Sequence, residues 1–280
     1  MRVCLANVAP GHKGNPFVDQ LHAIWRRNLA LAKQETTEVT SRICTWGIEG
    51  MDGFFYHSID TLNAQAVYQA AVSAEKDGYD AILITCFGDP MLHQIRQAVN
   101  IPVASIGEAS LLTAAMMGSK FGLVHISEYN IIETRHKIHQ YGLSERLANV
   151  RAINETPAEQ GSAIFNAAHA IESFAKVGRE LIDDGAEVLI PACGLMSPAL
   201  RLAPGMEDRY PNGFTELDGV PILDVMSCGI KMVETLYALK QCGSTWISRK
   251  NFYARPSRAA MESGKVVLKD DRMSFWDTSL

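Results

Sequence analysis

The chain reads as an α/β protein of two pseudosymmetric lobes. Each lobe is a mostly parallel sheet of about four strands flanked by helices, and the active site is expected in the cleft between them. Three observations predict this. Short apolar runs alternate with amphipathic stretches of helical length along most of the 280 residues, and runs apolar on both faces belong to sheets covered by helices on both sides. The alternation then restarts in the second half. Finally, one segment occurs twice: "DGYDAILITC" (77–86) and "DGAEVLIPAC" (184–193) align without gaps, identical at Asp, Gly and Cys and conservative at four more positions.

Taken in order, strands are expected over 2–8, 38–45, 80–86 and 101–106, with helices over 16–34, 58–77 and 89–99. The second series has strands over 120–126, 149–153, 186–193 and 220–226, with helices over 128–141, 157–184 and 227–241. Each repeat is followed by a further similar strand, "IPVASI" and then "VPILDV", the second after an added loop at 201–219. A match inside the same strand order points to two similar lobes. The helix at 108–118 is expected to dock on the second lobe and 227–241 to return to the first. Lobe one is therefore residues 1–106 with 227–280, and lobe two is 107–226.

Composition narrows the function. A net charge of −5 and a sequence pI of about 5.9 argue against a nucleic-acid binder, which carries a basic stripe. No run reaches the ~18 apolar residues of a membrane span, and "MRVCLANVAPGHKGNP" reads as strand and loop rather than signal peptide. Six cysteines without a C-x-x-C pair look like the reduced thiols of a cytoplasmic protein. G-x-G-x-x-G and G-x-x-x-x-G-K-[ST] are absent, so no dinucleotide or NTP motif is indicated. His136, His139 and Glu133 lack the i, i+4 spacing of a zinc-enzyme helix, and no metal site is expected.

The repeat carries the chemistry. Ligands of open parallel sheets bind beyond the carboxyl ends of strands, so facing lobes put Cys86 and Cys193 on opposite walls of one cleft. Two thiols flanking a carbon can remove a proton from one face and return one to the other, which inverts the centre. Each cysteine precedes a turn and a helix start, "CFGDP" and "CGLMSP". There, N–H donors near Gly88 and Gly194 would lower a thiol pKa. Cys4, Cys44, Cys228 and Cys242 have no such pairing and are read as structural. His125, ending a strand, is expected to face the cleft, and Asp89 to cap the next helix. The loop after strand two, with Glu49 and Tyr56, is expected to act as a lid, and 248–258 to pack as an arm on a neighbouring subunit.

At these residues the chain resembles the aspartate/glutamate/hydantoin racemase superfamily, most closely its hydantoin and allantoin racemase branch. "CFGDPMLHQIRQAVNIPVASIGEAS" (86–110) is similar to that branch's "CFDDPGL…PVVGIGEA", and "GAEVLIPACGLMSPAL" (185–200) to "GAEVIVLGCAGMA". "YGLSERLANVRAI" (141–153) and, more loosely, "WGIEGMDGFFYHSID" (46–60) also match. The resemblance implies two lobes with substrate between them, no cofactor, and Cys86 and Cys193 as bases. It further implies substrate contacts from Asn7, Phe87, Gly88, His125, Ile126, Gly194 and Leu195, and a lid that includes Ile48. Departures border the pocket: "ANVAPGHKGNP" stands for "NPNT", and His125-Ile126 for a Thr-Thr pair.

The expected function is a cofactor-independent racemase or isomerase of a small carbonyl compound, hydantoin-, allantoin- or amino-acid-like. A homo-oligomer is expected, with neither nucleic acid nor membrane as partner. The rival readings are a cysteine-dependent lyase, cis–trans isomerase or ring-opening hydrolase, and a non-catalytic small-molecule sensor.

Overall fold

The computed structural model describes residues 1–8, 11, 13–48, 53, 56–264 and 275–280. Its first half runs β1 (Arg2–Ala6), α1 (Pro16–Ala30), β2 (Glu38–Cys44), α2 (His57–Lys76), β3 (Ala81–Ile84), α3 (Leu92–Ala98), β4 (Val103–Ser105) and α4 (Ile106–Met117). The series repeats as β5 (Phe121–His125), α5 (Ile131–Gln140), β6 (Leu147–Ala152), α6 (Pro157–Ser162), α7 (Ala168–Asp183), β7 (Val188–Pro191) and α8 (Met196–Leu202). A hairpin of β8 (Glu216–Leu217) and β9 (Val220–Pro221) leads into α9 (Val225–Gln241), and α10 (Arg258–Gly264) and β10 (Phe275–Ser279) complete the order.

Two sheets with matching topology result. The first is ordered β10-β2-β1-β3-β4, with β1 to β4 parallel and β10 antiparallel on β2. The second is ordered β6-β5-β7, all parallel, and Ile222 bridges Leu189 in parallel beyond β7. Thus β2-β1-β3-β4 corresponds to β6-β5-β7 and the segment at Ile222. The expected strand at 220–226 shrinks to β9 and this bridge because Asp224 turns away to cap α9, accepting from the N–H groups of Met226 and Ser227.

The Asp-Gly of each repeat has one local cause. Gly78 and Gly185 sit at φ of 78° and 94°, a conformation that L side chains resist. Each follows a helix. Gly78 N–H donates to Glu75 O and Tyr79 N–H to Ala74 O; Gly185 N–H donates to Ile182 O and Ala186 N–H to Leu181 O. Both pairs have the Schellman pattern that ends a helix. The chain is thereby turned into β3 or β7, whose residues are buried throughout.

Two helix boundaries differ from the sequence expectation. The stretch 157–184 is two helices. The first opens with a capping box of Thr156 and Glu159. The second starts where Asn166 Oδ1 accepts from Ala168 N–H and Ala167 N–H donates to Pro204 O. The helix expected from 89 begins only at Leu92, because Asp89 and Met91 take left-handed backbone, φ 52° and 56°. Helix α9 packs on β3 and β4 of the first sheet, and α4 reaches β7. Among the described residues no helix is long and apolar enough to cross a membrane, and all six cysteines are free thiols.

The arm at 248–258 packs on its own chain. Arg249 donates to Arg96 O and Val99 O, Arg255 to Ala98 O, and Tyr253 Oη meets His93 Nδ1 at 2.8 Å. Unpaired carbonyls at the end of α3 attract these guanidinium groups. Further on, β10 covers the β2 edge, fixed by a fork from Arg42 to Asp277 at 2.9 and 2.8 Å. Arg42 is buried and also reaches Asp77 and Ser73. That pairing holds the Asp277 carboxyl below its ordinary range. A depressed folded pKa contributes stability above about pH 4 that is lost as pH falls through it. Arg42→Met is expected to cost about 2 kcal/mol in urea unfolding at pH 7, and to flatten the acid limb below pH 4.

Candidate active site

A cavity of about 350 Å³ opens beyond the carboxyl ends of both sheets. Asn7 follows β1 and Cys86 follows β3; His125 ends β5, Ile126 follows it, and Cys193 follows β7. All five line the cavity. The central strand of each sheet and its neighbour therefore supply corresponding walls. Phe87, Gly88, Gly194 and Leu195 line it too, so every residue expected to touch substrate faces the same space.

The two cysteine loops cross each other. Gly194 lies so close to Thr85 that a Cβ on it would stand 2.4 Å from the Thr85 carbonyl oxygen, and Trp25 Nε1–H donates to Gly194 O at 2.9 Å. Only glycine permits that approach, and each crossing residue adjoins a cysteine. The sulfurs also have matching local geometry. Gly88 N–H donates to Cys86 Sγ at 3.4 Å and Leu195 N–H to Cys193 Sγ at 3.3 Å, each from two residues downstream.

The thiols are not acidified in the resting site. Burial pushes Cys86 up to about 12, with Asp60 adding to the rise and the Gly88 N–H and Lys137 opposing it. Cys193 is raised as well, by burial above all, against the N–H groups of Met196 and Leu195. This corrects the expectation of thiols lowered by helix N-termini. The helix after Cys86 starts at Leu92, outside the loop that holds the sulfur, so desolvation prevails.

His125 is buried, and burial followed by Lys137 pushes its pKa down to about 3. Its ring is neutral at ordinary pH. Nδ1 accepts from Ile126 N–H at 3.0 Å, which leaves the proton on Nε2 as a donor. Asp89 caps α4 instead of the next helix. Its Oδ1 accepts from Gly107 and Glu108 N–H, while Tyr141 Oη donates to Oδ2 at 2.8 Å.

Of the expected lid, Glu49 lies outside the described residues. Ile48 and Tyr56 do not line the cavity; Ile48 N–H donates to Asn63 Oδ1. Tyr56 stands at the start of α2, its ring centroid 6.2 Å from that of Tyr129, which precedes α5. His57 Nδ1 is 3.3 Å from Glu133 Oε2 beside it. These two contacts join the first half of the chain to the second at the cavity mouth.

Sequence reasoning missed Lys137, Asp60 and Trp25, all of which line the cavity. Lys137 is buried, donates to Phe87 O, and lies 3.8 Å from Asp89 Oδ2 and 5.1 Å from the Phe87 ring centroid. Its signal was legible: Thr134, Lys137 and Ile138 form one buried helix stripe, and a lysine inside such a stripe requires partners.

A family model for Asp/Glu/hydantoin racemase matches residues 25–233. The chain belongs to the Asp/Glu/hydantoin racemase family. It is similar to the hydantoin racemase of Pseudomonas sp. (strain NS671), 27% identical over 179 residues, or 64% of this chain and 66% of that protein. The matched segment thus spans just under two thirds of that relative. Among solved structures, the allantoin racemase of Pseudomonas fluorescens superposes with a TM-score of 0.71 at 25% identity, covering 91% of this chain and 97% of that one. The allantoin racemase of Klebsiella pneumoniae gives the same TM-score at 24% identity, covering 92% and 94%. These relatives put the chain in the hydantoin and allantoin racemase branch of the family.

Proposed function

We propose that the protein racemises a small cyclic ureide of the hydantoin or allantoin type, with Cys86 and Cys193 as the two bases. The observation that carries this reading is the pairing of the thiols. They project from corresponding strand ends into one cavity, pinned by loops that touch at Thr85 and Gly194. We take the two sheets, with α9 returned to the first, as two lobes that share the site.

In the proposed cycle one cysteine is a thiolate and the other a thiol. The thiolate takes the ring C–H proton from its own face: the C–H bond breaks, an S–H bond forms, and the electron pair moves onto the adjacent carbonyl. The opposite thiol then gives its proton to the other face, and its sulfur keeps the S–H pair. Roles have exchanged and the centre has inverted. His125 Nε2–H and the Lys137 ammonium are the donors that would stabilise the enolate oxygen. Both proton-transfer groups come from the chain, so the cycle as written consumes no cofactor.

The reaction needs one ionised sulfur, and both thiols sit above the ordinary 9.0. Between pH 7 and pH 9 the free enzyme is mostly dithiol. kcat/KM is therefore expected to rise about tenfold per pH unit there. At higher pH, once both sulfurs ionise, the acid is lost and the rate falls again. Polarimetry on 5-monosubstituted hydantoins and allantoin measures the profile, and a flat line from pH 7 to pH 9 would falsify the thiolate step.

A further inference from the structure

A second, much smaller chamber adjoins the main cavity at Cys193, sharing Ile126, Cys193 and Leu195 with it. It is lined by Glu155, Gln160, Cys193, Ile126, Leu195 and Met196, among others, with a volume of about 10 Å³. Glu155 and Gln160 are only 9% and 3% exposed. Glu155 Oε1 and Gln160 Oε1 accept no hydrogen bond from the protein. The Gln160 amide is not free to turn over, since its Nε2 donates to Glu155 O at 3.1 Å. Both residues line one small space, and neither oxygen accepts a hydrogen bond, His169 Nε2 standing 3.5 Å from Glu155 Oε1 without making one. Buried acceptors of this kind are nearly always satisfied, and the chamber is the size of a single water, which needs two to four polar partners.

We infer that this chamber holds one water molecule and that Glu155, through it, exchanges protons with the Cys193 thiol. The water donates one hydrogen to each orphan oxygen and meets the sulfur as its third neighbour. When Cys193 must become a thiolate, its S–H proton passes to the water while the water's own proton moves onto Glu155 Oε1. The products are a thiolate and a carboxylic acid, and the water is regenerated. An exit is at hand. His169 Nε2 is 3.5 Å from Glu155 Oε1 and 3.9 Å from Glu159 Oε1, with its side chain 54% exposed. The path therefore runs from the half-buried cysteine through water, Glu155 and His169 to solvent. Cys86 stands in different surroundings. Its neighbours are the Gly88 N–H, Asp60 and Lys137.

The path matters because each turnover leaves the proton on the wrong sulfur for another turnover in the same direction. Returning it is a step of the free enzyme. Slowing that step lowers kcat at saturation and leaves kcat/KM unchanged. This kinetic role rests on the racemase reading above, but the coupling between Glu155 and Cys193 does not. The Glu155 charge raises the Cys193 pKa, so a neutral isostere lowers it.

The test uses the full chain carrying Glu155→Gln or Gln160→Met. The pH midpoint for iodoacetamide alkylation is read on the peptide bearing Cys193 by mass spectrometry, beside kcat and kcat/KM. Glu155→Gln is expected to lower the midpoint by about one pH unit, and to reduce kcat about tenfold or more without lowering kcat/KM. Gln160→Met keeps the charge and removes a water partner, so kcat falls while the midpoint stays. An unmoved Cys193 midpoint in Glu155→Gln, or wild-type kcat in both variants, overturns the path. A shifted midpoint in a protein that racemises none of the ureides tried sustains the chamber and overturns instead the function assigned to the cavity.

Discussion

Cys86→Ala and Cys193→Ala are each expected to lower racemisation by about a thousandfold or more, the scale of a lost general acid or base, and to leave opposite half-reactions. With Cys86 gone, Cys193 still reaches one face of the bound carbon. One enantiomer should exchange its ring C–H for deuterium in heavy water without inverting, and the other should not exchange. Cys193→Ala reverses the preference, because the remaining sulfur belongs to the other wall. Both side chains are only half-buried, so thermal unfolding should barely move and the loss cannot be assigned to misfolding. Proton NMR of each pure enantiomer reads the exchange, and chiral chromatography the inversion. The two-base reading is sunk if either variant racemises at the wild-type rate, or if both variants exchange the same enantiomer. A single nucleophilic cysteine would instead leave one variant fully active.

Much of this was legible because the repeat is written in local physics. Asp77-Gly78 and Asp184-Gly185 each end a helix and start a buried strand, so the matching decapeptides encode the same turn into the same sheet position. The terminal cysteine of each then arrives at the cavity by strand geometry alone. What the sequence hid is set by contacts distant along the chain. Lys137 bonds a carbonyl fifty residues away, at Phe87, and Asp89 caps a helix eighteen residues on; neither spacing is periodic. The arm's contacts were hidden for the same reason: Arg249 is paired with carbonyls at Arg96 and Val99, which no local pattern announces. The thiol pKa expectation failed on a competition of magnitudes. N–H donors beside each sulfur were foreseen, but the desolvation that outweighs them depends on how tightly the walls close.

The crossing of Thr85 and Gly194 makes the second large prediction. An alanine at 194 would put its Cβ 2.4 Å from a main-chain oxygen and 3.1 Å from Ile106 Cδ1. The isoleucine can turn aside, but the carbonyl cannot, because Thr85 is tied to β1 through its N–H and hydroxyl on Ala6 O. The 193–195 loop must therefore retreat. The Trp25 bond to Gly194 O resists that movement from the other side. Overpacking of this kind costs about 1–3 kcal/mol, measurable by urea unfolding. A retreat of about 1 Å at a reacting group costs on the order of a hundredfold in rate. Gly194→Ala should thus remain folded, lose kcat far more than its stability loss implies, and keep both alkylatable thiols. Gly88→Ala is the control. Its added Cβ meets only Cys86 Sγ, at 3.4 Å, an ordinary contact, so it changes the same region without parting the walls. Equal losses in the two variants would mean that the crossing does not set the distance between the sulfurs, and that something other than the touching backbones holds them on either side of one carbon.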